Sequence, residues 1–463
     1  MKKTYKILYL FFLIFFLYLL NTILWCYLTR SVILEDERYV PNFLSDKILF
    51  LSNFPHEINQ FYRELKYWAS GDPARLIKEK RIIEDNKIQS SFPNKEDSGY
   101  LLFSGLDSIE KKSVVKLIKI SDGKEVIKWS PDWNLILKKS SQKKFSDYVT
   151  LESARAVHPI LLDNGDIIFS AVTALVKMSP CSSEPIWLTD QIVHHSVEID
   201  DEGNIWAPSV DDFTWDGLQK LKNSIRDDAI AKFSKDGKLI KKISIMKILY
   251  DNNLLALALG SNGYGLNPDP IHLNQISIAP SDTRHWQKGD LLISARHLST
   301  VFLYRPNTNK ITWYKTGPWL YQHSAKFVDD QKISIFSNNI VSIKKGVQGF
   351  LREEDINRVF LYDFDTNKVS EPYENLLKKD RPRTITQGRA EILNDGGLFL
   401  EDTEAGRYLR YSKDKLMWSK INYYDNNHVG NIAWGRYIYG ADGERIIKIA
   451  TSRCNSQELI NVK

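Results

Sequence analysis

Two stretches of this chain put an imidazole where a strand begins. In "HHSVEIDDEGNIW" (194–206) His195 stands seven residues before Glu202 of the turn, and in "QHSAKFVDDQKISIFSNN" (322–339) His323 stands seven before Asp330. Alternating apolar residues such as Ala325 and Phe327 already account for a strand. Two histidines in one structural slot are therefore free for chemistry, and a neutral imidazole serves as nucleophile, base or acid near pH 7. A third stretch, "IHLNQISI" (271–278), holds His272 and Asn274 two residues apart, which puts both on one face of a strand. "GDLLISARHLSTVFLY" (289–304) carries Arg296 inside a strand pattern, where a guanidinium needs an anion or a carboxylate. The alternation then turns His297 to the other side of that strand, for packing. Arg389 of "GRAEILNDGGLFLE" (388–401) either reaches the same region or pairs with Glu391. His158 sits out of phase before Pro159 and reads as structural.

The elements that must position these groups are short β-runs separated by Asn, Asp and Gly turns, from about residue 96 onward. One set of hairpins includes "ILLDNGDIIFS" (160–170), "GRAEILNDGGLFLE" and "IAWGRYIYGADG" (432–443). A second set includes "FLYRPNTNKITWY" (302–314) and "FLYDFDTNKVSEPY" (360–373). The two sets alternate at the spacing of four-stranded blades arranged radially. The expected fold is all-β, a six-bladed β-propeller. In that fold the first strands line a central channel, so His195 and His323 converge.

The N-terminus has a different texture. Residues 7–28, "ILYLFFLIFFLYLLNTILWCYL", carry no charge and are long enough to cross a hydrocarbon core of about 30 Å as a helix. Lys2, Lys3 and Lys6 precede the run, and Glu35, Asp36 and Glu37 follow it, which favours a cytoplasmic N-terminus and an exported remainder. The expected layout is a cytoplasmic tail (1–6), a transmembrane anchor (7–28), a juxtamembrane helical region (29–95) with Ile58, Phe61, Leu65 and Trp68 at helical spacing, the propeller (96–455) and a C-terminal tail (456–463). The anchor leaves the folded domain facing the periplasm or the exterior.

Composition narrows the function classes. Lys+Arg 63 against Asp+Glu 57 gives only +6, and the charges are scattered, so nothing favours nucleic acid. No phosphate-binding glycine loop or paired-cysteine zinc motif occurs, the acidic turns suit hairpin geometry rather than calcium, and no metal or cofactor is expected. Outside the apolar run only Cys181 and Cys454 remain; an oxidising compartment permits them to pair, but sequence cannot supply the geometry.

The motifs "HHSVEIDDEGNIW", "IHLNQISI", "GDLLISARHLSTVFLY", "QHSAKFVDDQKISIFSNN" and "GRAEILNDGGLFLE" occur in the order of the arylsulfotransferases of bacterial envelopes, which this sequence resembles from about 150 to 405. The resemblance implies an aryl-sulfate sulfotransferase that moves a sulfuryl group from a phenolic sulfate ester to a phenolic acceptor without a nucleotide donor. It implies that His323 is the nucleophile that becomes sulfated. His272, Asn274, Arg296 and one histidine of the pair, His195 in preference to His194, would surround the sulfuryl oxygens. A non-catalytic propeller that binds an anionic ligand or a protein partner at its channel is the alternative; oligomeric state is not readable.

Overall fold

The computed structural model describes residues 2–33, a few residues between 44 and 58, and residues 76–461 apart from 86, 141–150, 152, 212, 223, 261–266 and 345–346. The chain divides into two compact units, Met1–Asp72 and Pro73–Lys463. The first contains one long helix, Lys2–Ile33, whose segment Tyr9–Ser31 is long and apolar enough to cross a membrane by length and composition. Of the expected juxtamembrane helical positions, Phe61, Leu65 and Trp68 lie outside the described residues.

The second unit is mostly β. Among the described residues it contains six four-stranded antiparallel sheets. The first is built from Tyr100–Leu106, Ser113–Lys119 and Glu125–Trp129, and Arg436–Ile438 near the C-terminus pairs with Tyr100–Leu102 to complete it. The others follow in chain order and begin with Val157–Leu161, Glu198–Ile199, Leu273–Ile278, Gln322–Phe327 and Arg389–Ile392. The stretch 432–443, expected as a hairpin, supplies only this one strand. Gly440 starts the helix Gly440–Asn461 instead, and a side chain on Gly443 would collide with the Tyr100 ring.

Turn chemistry sets the registers. Asp200 accepts hydrogen bonds from the Asn204 amide (2.7 Å) and the Trp206 indole (2.9 Å), and Gly203 supplies the left-handed residue at φ +81°. Two "TN" turns repeat one device: Tyr304 donates to Asn309 Oδ1 (3.0 Å) and Tyr362 to Asn367 Oδ1 (2.9 Å), with both asparagines left-handed.

Second strands such as Tyr100–Leu106, Leu291–Ala295 and Leu398–Asp402 are buried at every residue, because both faces of each sheet are covered. The covering is pairwise. One apolar cluster joins the first and second sheets (Leu102, Val115, Phe169, Val176), another the third and fourth (Trp206, Ile230, Ile293, Phe302), and a third joins the sixth and first (Leu101, Phe103, Phe399, Trp418). Clusters of the same kind join the second to the third, the fourth to the fifth and the fifth to the sixth. Truncating a fully buried member such as Ile293 to alanine costs about 2–5 kcal/mol.

The C-terminal helix is fastened to the second sheet. Cys454 forms a disulfide with Cys181, Arg453 pairs with Asp166 (3.0 Å), and Ala450 lies so close to Gly165 that a Cβ there would stand 2.6 Å from its own. The two cysteines left open by the sequence are thus joined.

Candidate active site

The first strands of the sheets are stitched to one another by side chains. The Val197 amide donates to His158 Nδ1 (3.1 Å), Ile276 to Ser196 Oγ (3.0 Å), Ala325 to Gln275 Oε1 (3.1 Å) and Ala390 to Ser324 Oγ (3.4 Å). Arg389 donates to the Gly435 carbonyl (2.9 Å) and Arg436 to that of Pro159 (2.9 Å), which returns to the second sheet. His195, Asn274 and His323 each immediately precede one of these stitching residues, Ser196, Gln275 and Ser324. They occupy one slot on three successive sheets.

Two of the three are also bulged. Leu273 and Gln275 oppose Ala295 and Ser294, and Gln322 and Ser324 oppose Ser337 and Phe336, so Asn274 and His323 are extra residues in their strands. A bulge re-aims its side chain away from the ladder. The surrounding backbone is strained as well: His158, His195, His272, Tyr321, Gln387 and Trp434 all have φ between +49° and +61°, each at or just before the first strand of a sheet. Non-glycine residues hold such angles at a cost of about 1–3 kcal/mol each, and they concentrate at functional sites.

The imidazoles therefore meet. Ring centroids are 5.4 Å apart for His195 and His323, 5.2 Å for His195 and His272, and 4.5 Å for His272 and His297. Trp434 stands between His323 (4.8 Å) and His158 (4.7 Å). His323 is only 1% exposed, and its Nδ1 has no hydrogen-bond partner among the described residues. Burial, then the charges of Arg296, His272 and Arg155, hold His323 well below the ordinary histidine pKa, so its imidazole is neutral at pH 7.

Arg296 does not lie in a strand. The strand ends at Ala295, and Arg296–Leu298 form a single 3-10 turn. The turn swings His297 to the same side, so the expectation that it packs elsewhere is corrected: its Nε2 accepts from Arg296 (3.1 Å) and its Nδ1 donates to the Asp269 carbonyl (2.5 Å). Arg296 also donates to Gln348 Oε1 (2.8 Å) and to the Ile385 carbonyl (3.2 Å), and its plane covers the Tyr321 ring. All these acceptors are neutral. Burial lowers the guanidinium to about 10, which still leaves it charged at pH 7. A buried cation held by neutral groups beside a neutral imidazole is arranged for an anion.

Behind the front row lie two carboxylates bridged by one arginine. Arg226 reaches Asp228 (2.9 Å) and Asp269 (3.1 Å). Asp269 accepts from His272 Nδ1 (2.5 Å), and Asp228 lies 3.5 Å from His194 Nε2. Burial would raise the Asp228 carboxyl, but Arg226 and His194 keep it well below its usual range. Asp269, His272 and His297 bring one ligand atom each within 4.8 Å of one another. His272 Nδ1, Asp269 Oδ2 and both nitrogens of His297 are engaged in the hydrogen bonds just described, and Arg226 and Arg296 add positive charge, so the trio suits a hydrogen-bond network better than a cation.

Of the five residues singled out by sequence, His195 meets His272 and His323, Arg296 joins them through His297, and Asn274 reaches the strand of His323 by donating to the Gln322 carbonyl (3.5 Å). Arg389 is fully buried and pairs with Glu391 (2.6 Å), while Lys326, three residues beyond His323, pairs with Glu198, three beyond His195 (3.5 Å). Sequence reasoning does not find Trp434, Arg155, Arg226, Asp228 or Asp269. Asp269 carries a local signal, three residues ahead of His272; the others are joined to the site only through the fold.

Solved structures resembling the chain include a protein of unknown function from Bacteroides caccae (11% identity, 73% of this chain and 98% of that one, TM-score 0.44). They also include virginiamycin B lyase from Staphylococcus aureus (12%, 56% and 66%, TM-score 0.30) and the WD40 β-propeller domain of Doa1 (9%, 72% and 75%, TM-score 0.34). A search of curated protein sequences found no match. The sequence profile of the Arylsulfotransferase (ASST) family matches residues 158–423, a span that holds His195, His272, Asn274, Arg296 and His323, and the chain belongs to that family.

Proposed function

We propose that the protein is an aryl-sulfate sulfotransferase that carries the sulfuryl group on His323 between a phenolic sulfate donor and a phenolic acceptor. The observation that carries this reading is a neutral, buried His323 within the field of Arg296, a buried cation whose hydrogen-bond partners among the described residues are all neutral. Family membership supports sulfuryl transfer in general. In the first step an imidazole nitrogen attacks sulfur, the sulfur–oxygen bond to the aryl group breaks, and its electron pair leaves on the phenolate. In the second an acceptor phenolate attacks the same sulfur and the nitrogen–sulfur bond breaks, returning its pair to His323. Arg296 and the Asn274 amide hold the sulfuryl oxygens, His272 joins them as an imidazolium paired with Asp269 once the anion is bound, and His195 handles the phenol proton. The residues named need no metal for these steps.

The six sheets act as the blades of a closed propeller on this reading. Their cyclic stitching and pairwise apolar clusters support it. The sequence-based divisions at 28, 95 and 455 are retained as the proposed domain layout, with the helix Lys2–Ile33 anchoring the protein and the catalytic domain facing the periplasm or exterior. The disulfide between Cys181 and Cys454 agrees with an oxidising location.

The test is acceptor dependence. Purified protein with a chromogenic aryl sulfate should release phenol faster as a second phenol is added and should form the new sulfate ester. Release that is unaffected by any phenol, with free sulfate as product, would replace the transferase with a hydrolase.

A further inference from the structure

His194 stands behind His195, away from His323, and its role is not that of an oxygen-binding residue. The two Nδ1 atoms face each other at 2.7 Å with the rings nearly perpendicular (86°). Two nitrogen lone pairs cannot face one another at that distance, so one proton lies between them. On its far side His194 Nε2 faces, among the described residues, only acceptors, the Ser209 carbonyl (3.3 Å) and Asp228 Oδ1 (3.5 Å), so it carries a hydrogen. With Nε2 protonated, a neutral His194 must accept at Nδ1 from His195, which leaves the His195 Nε2 lone pair free.

We propose that His195, His194 and Asp228 form a proton relay, which rests on the transferase reading above. In the loaded state the extra proton makes His194 an imidazolium beside the Asp228 carboxylate, and His195 holds its own hydrogen on Nε2. When the sulfur–oxygen bond to the aryl group breaks, that Nε2 hydrogen goes to the departing phenolate, and the shared hydrogen passes from His194 Nδ1 to His195 Nδ1. Both rings are then neutral. In the second step the acceptor phenol gives its proton to His195 Nε2, the shared hydrogen returns to His194, and the loaded state is restored. No proton is gained or lost over the cycle. The Asp228 carboxylate suits this role because it is fully buried and is fixed in place by the Leu273 amide (2.6 Å) and Arg226 (2.9 Å). The other charged or titratable groups facing His195 are His272, His323 and Arg226.

A relay matters in proportion to how much the leaving oxygen needs a proton. The experiment compares wild type, His194→Gln and Asp228→Asn with a series of aryl sulfates whose phenols span low to high pKa, after circular dichroism shows each variant folded. Wild type must first turn over an activated donor; if it does not, the transferase reading fails before the relay is examined. With wild type active, the relay requires His194→Gln to keep kcat/KM within a few-fold for the most acidic phenol. For the least acidic phenol it should lose about 10²-fold, the size of a general-acid contribution. Asp228→Asn should steepen the dependence in the same direction. A uniform loss across the series would make His194 a merely structural support, and no loss anywhere would remove it from the reaction; either result overturns the relay. If Asp228→Asn does not fold, His194→Gln alone decides.

Discussion

The imidazoles of His195 and His323 come from different sheets yet stand 5.4 Å apart, each one residue ahead of a serine that accepts an amide of the next sheet. Their meeting is a product of stitching: Ser196 and Ser324 fix where the first strands lie, and the histidines beside them follow. Replacing Ser324 with Ala should therefore misplace His323 and lower kcat while leaving KM within a few-fold. Steady-state kinetics on the folded variant would check this.

Arg296 is predicted to act through its fork as well as its charge. Arg296→Lys keeps a cation but cannot reach His297, Gln348 and the Ile385 carbonyl together. Both Arg296→Lys and Arg296→Ala should lose on the order of 10²–10³-fold in kcat, the usual cost of removing a donor to developing negative charge. A Lys variant with wild-type turnover would show that charge alone suffices.

The pH dependence follows from the buried imidazoles. Burial comes first among the causes that lower His158, His195, His272, His297 and His323, with His297 brought to about 4. Unfolded histidines take up protons below about pH 6.5 while these folded ones stay neutral, so the unfolded state binds more protons and stability falls as pH drops. The stabilisation is complete above about pH 6.5 and is lost progressively down to the depressed values. Each such group contributes a slope of up to about 1.4 kcal/mol per pH unit in that window. Thermal melts from about pH 8 to about pH 4.5 should show this decline, shallower in His158→Gln.

The C-terminal helix gives a stability prediction. Cys181→Ser should lower the unfolding free energy by about 2–5 kcal/mol under oxidising conditions, the usual range for a native disulfide, and reduction of wild type should do the same. Adding Cys454→Ser to Cys181→Ser should change little further. Denaturant titration of the three forms measures it.

The slot shared by His195 and His323 is legible because both stand seven residues before an acidic turn position, and hairpin turns are local chemistry. The bulges at Asn274 and His323 are not legible, since a bulge is defined by the partner strand. Arg296 and His297 read as alternating strand positions, but Ser299 at φ +47° follows them and a 3-10 turn replaces the strand. The stretch 432–443 reads as a hairpin because "ADG" looks like a turn, whereas Gly443 serves to bring a helix against Tyr100. Cys181 and Cys454 are remote in sequence, and only the fold brings their Cα atoms to 5.2 Å.

The central claim is a covalent sulfuryl group on His323. Incubating the protein with an aryl sulfate in the absence of acceptor and weighing it intact should show a gain of about 80 Da that maps to the His323 peptide, vanishes on adding phenol, and is missing in His323→Ala, as a nucleophilic intermediate requires. The same gain in folded His323→Ala, or phenol release by wild type with no adduct on rapid quenching, would contradict it.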